Sequence, residues 1–195
     1  EFKESANALA STEFGRLEEL EELFRKYGER YQVDHLIAAA QGFQESRLDQ
    51  AARSASGAIG VMQLLPSTAK DHNVNIADIH LVDNNVHAGI KYLDFLRSRY
   101  FTEPGIDDWN STFLALAAYN VGPGRMAQLR AKAASKGYDP NIWFDNVELV
   151  AASDVGAEPV QYVANILKFY VAYRYSTELL AKRDMARANA GIEAE

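Results

Sequence analysis

The sequence has 195 residues, of which 48% are hydrophobic, enough for one globular domain with a sizeable core. Its 27 acidic side chains outnumber 20 basic ones and give a net charge of −7, so we expect no nucleic-acid partner. There is no cysteine, which excludes disulfide bonds and thiolate metal sites.

Residues 1–14 are polar and small without a sustained period, which predicts a linker into the first helix. They also lack the basic and apolar regions of a secretory signal. No apolar run approaches the ~20 residues of a membrane-spanning helix. If the protein is exported, we therefore expect this chain to be a mature or excised fragment of it. Residues 15–180 form the predicted domain, and the charged, alanine-rich residues 181–195 a C-terminal tail.

Apolar residues then recur every three or four positions in successive stretches, the pattern of amphipathic helices packed on a core. The first helix is predicted from Leu17, and Asp34 is suited to cap a second one over His35 to Ser46. The next segment predicts a loop with, at most, a very short β-hairpin near residues 53–63. Pro66 suits the first turn of a third helix. Further helices are predicted from Asn84, over Trp109 to Asn120, over Arg125 to Lys136, around Trp143 to Val150, and from Pro159. The predicted fold class is all-α.

Glu45 is the first candidate for chemistry. On the second helix it lies four residues after Gln41 and eight after Ile37, so it shares the apolar side. It also lies near the helix C-terminus, whose partial negative charge opposes an anion. Burial and the helix end both raise a carboxyl pKa, as a general acid near neutral pH requires. The alternative is an exposed carboxylate that pairs with Arg47 or Arg53.

The segment Gly57 to Gln63 is a second candidate. Its two glycines permit close backbone approach. Met62 then offers a soft apolar wall beside the Gln63 amide, which both donates and accepts. A sugar, with an apolar ring face and a rim of hydroxyls, suits that pair. The alternative is a turn that feeds a core methionine.

Two helix ends carry the remaining candidates. Tyr119 and Asn120 close an apolar helix just before Gly122, where polar side chains can reach a ligand. Glu158 and Tyr162 lie four residues apart, on one face at the start of the last helix. The alternatives are a helix cap with a core tyrosine and a surface pair.

The order and spacing of these segments resemble the successive signature motifs of the SLT-type lytic transglycosylases, whose fold is lysozyme-like and almost wholly helical. The matching motifs are Glu45-Ser46, Gly60-Val61-Met62-Gln63, Ala118-Tyr119-Asn120 and Tyr162-Val163. The phrases AAAQGFQESRLDQ, NVELVAA and QYVANILKFYVAYR look most like the F type of membrane-bound lytic transglycosylases. That likeness implies a periplasmic protein associated with the outer membrane, with a solute-binding-like regulatory domain upstream.

The resemblance implies that Glu45 protonates the glycosidic oxygen between N-acetylmuramic acid and N-acetylglucosamine. As a carboxylate it then takes the proton of the muramic C6 hydroxyl, which closes a 1,6-anhydro ring without water. Tyr162 is expected to hydrogen-bond Glu45, and Asn120 or Tyr119 to orient the N-acetyl group. The residues expected to bind substrate are Ser46, Met62, Gln63, Tyr119, Asn120, Glu158 and Tyr162.

We expect no metal and no cofactor, because the four histidines are scattered along the chain, with only His80 and His87 at a helical spacing. The expected partner is the peptidoglycan glycan strand, bound by a monomer. Three alternatives remain: a lysozyme-like hydrolase of the same bond, a catalytically silent glycan-binding module, and a helical protein-interaction domain.

Overall fold

Residues 2–189, which a computed structural model of the chain describes, contain eight α-helices, one π-helical turn and no β-strand. The helices are α1 (Phe2–Tyr31), α2 (His35–Ser46), α3 (Pro66–Lys70), α4 (Val82–Tyr100), α5 (Asp108–Val121), α6 (Pro123–Ser135), α7 (Glu148–Asp154) and α8 (Ala157–Asn189), with the π-helical turn at Trp143–Val147. The predicted all-α class is confirmed. Residues 190–195 of the predicted tail lie outside the described residues.

The ends of α2 follow from its sequence. The Asp34 carboxylate accepts a hydrogen bond from the backbone N–H of Leu36 at 2.8 Å, which satisfies one of the free amides of the first turn. Arg47 then adopts the left-handed conformation, φ 56° and ψ 35°, and ends the helix. The predicted span His35 to Ser46 is confirmed, and Glu45 occupies its last turn.

The core places α2 and α5 at the centre of the molecule. All seven residues from Thr112 to Ala118 of α5 are buried, as predicted for a helix that is apolar on several sides. Residues Ile37 to Phe43 of α2 are likewise buried. α2 packs on α1 and α8, and α5 packs on α4, α6 and α8. The C-terminal turn that carries Glu45 is thus held by helices from both ends of the chain.

The helix boundaries that differ from the predicted ones include those of α1, α4 and α8. α1 begins at Phe2, because polar residues without an apolar period can still extend a helix that is nucleated elsewhere. α4 begins at Val82 rather than Asn84, whose side-chain amide instead donates to the carbonyl of Ala77 at 3.1 Å. α8 continues past residue 180 to Asn189. The linker and tail roles of the two chain ends stay predictions.

The predicted hairpin near residues 53–63 is reduced to two isolated antiparallel bridges, Arg53 with Ile59 and Ile59 with Leu64. The buried side chain of Asn85 in α4 takes the place of a strand partner. Its Oδ1 accepts from the N–H of Met62 at 2.8 Å, and its Nδ2 donates to the carbonyl of Ile59 at 2.8 Å. Because this amide pairs the loop backbone, the loop is fixed on α4 without a sheet.

Gly89 allows α4 and this loop to approach closely, and replacing it with alanine is expected to destabilise the fold. A Cβ at Gly89 would lie 2.5 Å from both Cβ and Cγ of Met62. The clash outweighs the gain in helix propensity, so we expect the free energy of unfolding to fall by about 1–3 kcal/mol. Chemical denaturation measures it.

The matched control is Gly124→Ala in α6, where an added Cβ meets nothing within 4 Å. Its unfolding free energy should stay the same or rise slightly. An equal loss in both variants would contradict the close approach of α4 to Met62.

Candidate active site

Glu45 is half-buried at the end of the buried face of α2, as its helical phase predicts. Burial raises the pKa of its carboxyl group from 4.5 to about 7. The alternative prediction, that Glu45 pairs with Arg47 or Arg53, is wrong. The Arg47 guanidinium stacks on the ring of Phe43, 4.5 Å from its centroid, and the Arg53 guanidinium donates to the carbonyls of Gln50 and Ala52. A group that is half protonated near neutral pH can both give and take a proton.

Tyr162 supplies the hydrogen bond to this carboxyl group. Its hydroxyl donates to Oε1 of Glu45 at 2.5 Å, from the second turn of α8. This bond favours the carboxylate and partly offsets the effect of burial on the pKa of Glu45. Burial holds the pKa of the Tyr162 hydroxyl well above its ordinary value, so the hydroxyl stays a neutral donor. The predicted Tyr162–Glu45 contact is present.

Gln41 completes a chain of hydrogen bonds that the sequence did not identify. Its side chain is fully buried one turn before Glu45, and its Nε2 donates to the Tyr162 hydroxyl at 3.2 Å. The available signal was a lone amide in the apolar run AAAQGF, on the same helix face as Glu45. A fully buried polar side chain at that position requires a partner.

Tyr119 and Asn120 lie at the end of α5, as predicted. The Tyr119 hydroxyl donates to the carbonyl of Met62 at 2.9 Å and so ties α5 to the loop. Glu45 is near enough to raise the pKa of this hydroxyl by its charge, although burial contributes more. Asn120 is half-buried, and its side-chain amide has no hydrogen-bond partner among residues 2–189. That amide is left available for a ligand.

Of three further predicted residues, Met62 differs from the prediction, whereas Ser46 and Gln63 bind backbone carbonyls. The Met62 side chain is fully buried against α4, so it has no surface with which to line a sugar cleft, and the alternative of a core methionine is correct. The Ser46 hydroxyl donates to the carbonyl of Val61 at 2.9 Å. Gln63 is half-buried and its Nε2 donates to the carbonyl of Gly60 at 2.9 Å, which leaves its carbonyl oxygen for a ligand.

Neither of the other carboxylates near these motifs is a partner of Glu45. Asp49 accepts from the N–H of Ala51 at 2.8 Å, and its other oxygen lies 3.9 Å from Arg16. Glu158 is exposed in the first turn of α8. In the described part of the chain, no carboxylate contributes to the raised pKa of Glu45, which has burial as its cause. The arrangement therefore provides a single acid.

The two histidines at a helical spacing, His80 and His87, contact other side chains of the fold. The His87 ring stacks on Tyr27 with centroids 4.2 Å apart, and its Nε2 lies 2.7 Å from the Tyr31 hydroxyl, which joins α1 to α4. His80 lies beside Arg53. Within residues 2–189, no group of three or more histidine or acidic side chains is placed to hold a metal ion.

Comparison with known proteins identifies the family of the chain. The family model described as the transglycosylase SLT domain matches residues 22–142. The membrane-bound lytic murein transglycosylase F of Pseudomonas fluorescens (strain Pf0-1) is 31% identical over 84% of this chain and 35% of its own length. That of Hahella chejuensis is 31% identical over 84% of this chain and 34% of its own length. The chain spans about a third of the length of these relatives.

Two solved structures share the helical fold. One is the lytic transglycosylase Slt of Pseudomonas aeruginosa, solved as an inactive glutamate-to-glutamine mutant, with a TM-score of 0.59 and 25% identity over 80% of this chain and 24% of that one. The other is the 70 kDa soluble lytic transglycosylase of Escherichia coli, with a TM-score of 0.55 and 23% identity over 80% of this chain and 24% of that one. The predicted lysozyme-like fold is confirmed, and the chain belongs to the transglycosylase SLT domain family.

Proposed function

We propose that this domain is a lytic transglycosylase of peptidoglycan. It cleaves the β-1,4 bond between N-acetylmuramic acid and N-acetylglucosamine without water and leaves 1,6-anhydro-muramic ends. The observation that carries the proposal is Glu45, a carboxyl group with a pKa of about 7 and no carboxylate partner among the described residues. The names of the relatives and the inactive glutamate-to-glutamine form of the Pseudomonas aeruginosa structure support it.

The first step is protonation of the leaving group. Protonated Glu45 gives its proton to the glycosidic oxygen, and the bond from that oxygen to C1 of the muramic residue breaks. The electron pair stays on the oxygen, which leaves as the 4-hydroxyl of N-acetylglucosamine. A raised pKa keeps enough of the acid form present near neutral pH for this step.

The second step closes the ring. The Glu45 carboxylate takes the proton of the muramic C6 hydroxyl while O6 attacks C1, so the acid is restored and no water is consumed. Hydrolytic glycosidases need a second carboxylate, about 5–5.5 Å away in retaining enzymes or about 6.5–9.5 Å away in inverting ones. A charge so near would raise the pKa of Glu45, whereas among the described residues burial alone acts in that direction.

The free polar groups indicate how the sugar is held. The unpaired amide of Asn120 suits the substrate N-acetyl group, which can assist as positive charge develops at C1. The carbonyl oxygen of Gln63 suits a sugar hydroxyl. Tyr119 and Ser46 act through the backbone they bind, since each donates its hydroxyl hydrogen to a backbone carbonyl. A supporting role for Glu158 stays a prediction.

Mass spectrometry of the products from purified peptidoglycan tests the proposal, with digestion carried out in water labelled with heavy oxygen. We expect anhydro-muramyl ends, lighter by one water than hydrolytic ends, and no incorporation of label. Labelled reducing ends would mean a lysozyme-like hydrolase. Binding to the sacculus without any product would mean a silent glycan-binding module.

The cellular setting is part of the proposal. The relatives are named membrane-bound, and their greater length fits a further, solute-binding-like regulatory domain upstream in the full protein. Among the described residues no helix has the length and apolarity that crossing a membrane requires. The names of the relatives support our proposal that the domain acts in the periplasm, in association with the outer membrane.

A further inference from the structure

The side chain of Gln41 is unfavourable for the stability of the fold at its position. It is fully buried in α2 beside the alanines of the apolar core, and its Oε1 is buried with no hydrogen-bond partner. A buried acceptor without a partner destabilises the folded state, and an apolar side chain of similar size would avoid that cost. The amide therefore requires an explanation other than stability, and its one hydrogen bond goes to Tyr162.

The direction of the hydrogen bond from Gln41 to Tyr162 determines the direction of the hydrogen bond between Tyr162 and Glu45. A tyrosine hydroxyl carries a single hydrogen and can accept as well as donate. Because the Nε2 of Gln41 donates to the Tyr162 oxygen, the hydrogen of Tyr162 is left for Oε1 of Glu45. An Oε1 that accepts this hydrogen in a bond of 2.5 Å has no room for a proton of its own on that side. The proton of the acid then belongs on Oε2.

We propose that Gln41 is a positioning residue that, acting through Tyr162, keeps the transferable proton of Glu45 on Oε2, the oxygen left for the sugar. The proposal rests on the proposed function, in which Glu45 is the acid. Oε2 has no hydrogen-bond partner among the residues that the structure describes. A proton on this oxygen is free to move to a glycosidic oxygen.

Without the Gln41 amide a competing arrangement becomes available. The Tyr162 hydroxyl can turn its hydrogen away and accept from Oε1, which then carries the proton of Glu45. In that arrangement the acid is protonated but its proton points at Tyr162 instead of the substrate. Loss of the amide therefore favours the protonated form of Glu45 and slows proton transfer at the same time. A residue with only a structural role would not combine these effects.

The titration of Glu45 can report on the hydrogen bonds that join Gln41, Tyr162 and Glu45, because the ionisable neighbours of Glu45 do not titrate in the same pH range. The ionisable groups that interact with it are Tyr162 from α8 and Tyr119 from α5. Burial holds the pKa of each hydroxyl well above its ordinary value, so both are neutral across the working range. α1 also packs on α2, and its described side chains, from Gly15 onward, contribute no group that shifts the pKa of Glu45.

Gln41→Met is the direct test, since it keeps the length of the side chain and removes the donor. We expect kcat to fall about tenfold, as for the loss of one hydrogen bond, with KM unchanged. The alkaline limb of the pH profile should move to higher pH, and thermal stability should not fall. The control is Gln161→Met, an exposed neighbour of Tyr162 in α8, which should leave all of these values unchanged.

A double-mutant cycle tests whether Gln41 acts through Tyr162. In a Tyr162→Phe background, Gln41→Met should change kcat by less than about twofold, because the hydroxyl that it orients is gone. Equal effects in both backgrounds would overturn the proposal. If Gln41→Met does not fold, Gln41→Leu takes its place in both backgrounds.

Carbon NMR titration of the Glu45 carboxyl group separates this inference from the proposed function, because it needs no substrate. Relative to the unmodified chain, the midpoint should rise in Gln41→Met and stay in place in Gln161→Met. An unchanged midpoint in Gln41→Met overturns the inference even if glycan is cleaved. A wild-type chain that yields no anhydro product, with the midpoint moving as expected, counts against the proposed function and supports the hydrogen-bond chain.

Discussion

Replacing Glu45 with glutamine is expected to reduce cleavage of purified sacculi by at least about a thousandfold, because a single group supplies both proton transfers. Glutamine keeps the size of the side chain and can still contact the Tyr162 hydroxyl, so binding to glycan should stay within about twofold. Release of soluble muropeptides measures cleavage, and co-sedimentation with sacculi measures binding.

A matched control for this variant is Glu22→Gln, which makes the same change at an exposed position of α1. Its rate of cleavage should equal that of the unmodified chain. Muropeptide release by Glu45→Gln within tenfold of the unmodified rate would remove Glu45 as the acid. A parallel loss of binding would instead assign the residue to substrate contact.

Tyr162→Phe should lower kcat by about ten- to a hundredfold and move the alkaline limb of the pH profile upward. The Tyr162 hydroxyl stabilises the charged form of Glu45, so its removal raises the folded-state pKa further above about 7. The acid form is required for the first step, and it then persists to higher pH. The slower rate reflects a carboxyl group that is no longer oriented.

Profiles of kcat/KM against pH measure the shift, with Tyr170→Phe as the control. Tyr170 is buried on the same helix, and its hydroxyl accepts from Arg174 at 3.4 Å, away from Glu45. Tyr170→Phe should leave kcat and the position of the alkaline limb of the pH profile unchanged. A limb that stays in place or moves downward in Tyr162→Phe would be inconsistent with a hydrogen bond that favours the carboxylate.

Helical phase is why so much of this site could be predicted from the sequence. Once Asp34 fixes the start of α2, the 3.6-residue period places Glu45 on the apolar side, and the structure agrees. Periodicity also gave the central position of α5. The partner of Glu45 came from the family motif around Tyr162, because no local rule joins residues 117 positions apart.

The prediction for Met62 was wrong because the loop that carries it has no helical period. Met62 follows the left-handed Gly60 in an irregular loop, so its direction depends on the Asn85 amide in another helix, which the sequence does not connect to it. Gln41 was missed for a different reason. Its importance depends on the absence of a partner for one oxygen, and such an absence is visible only when all the neighbours are in place.

The distance along the chain between Glu45 and Tyr162 also bears on when the hydrogen bond between them can form during synthesis. α2 is complete long before α8, so a growing chain holds the carboxyl group without the hydroxyl that orients it. Domains generally fold as units once their last elements emerge. If the proposed function is correct, a chain that lacks α8 has the acid without the hydroxyl that orients it, and we expect it to be inactive.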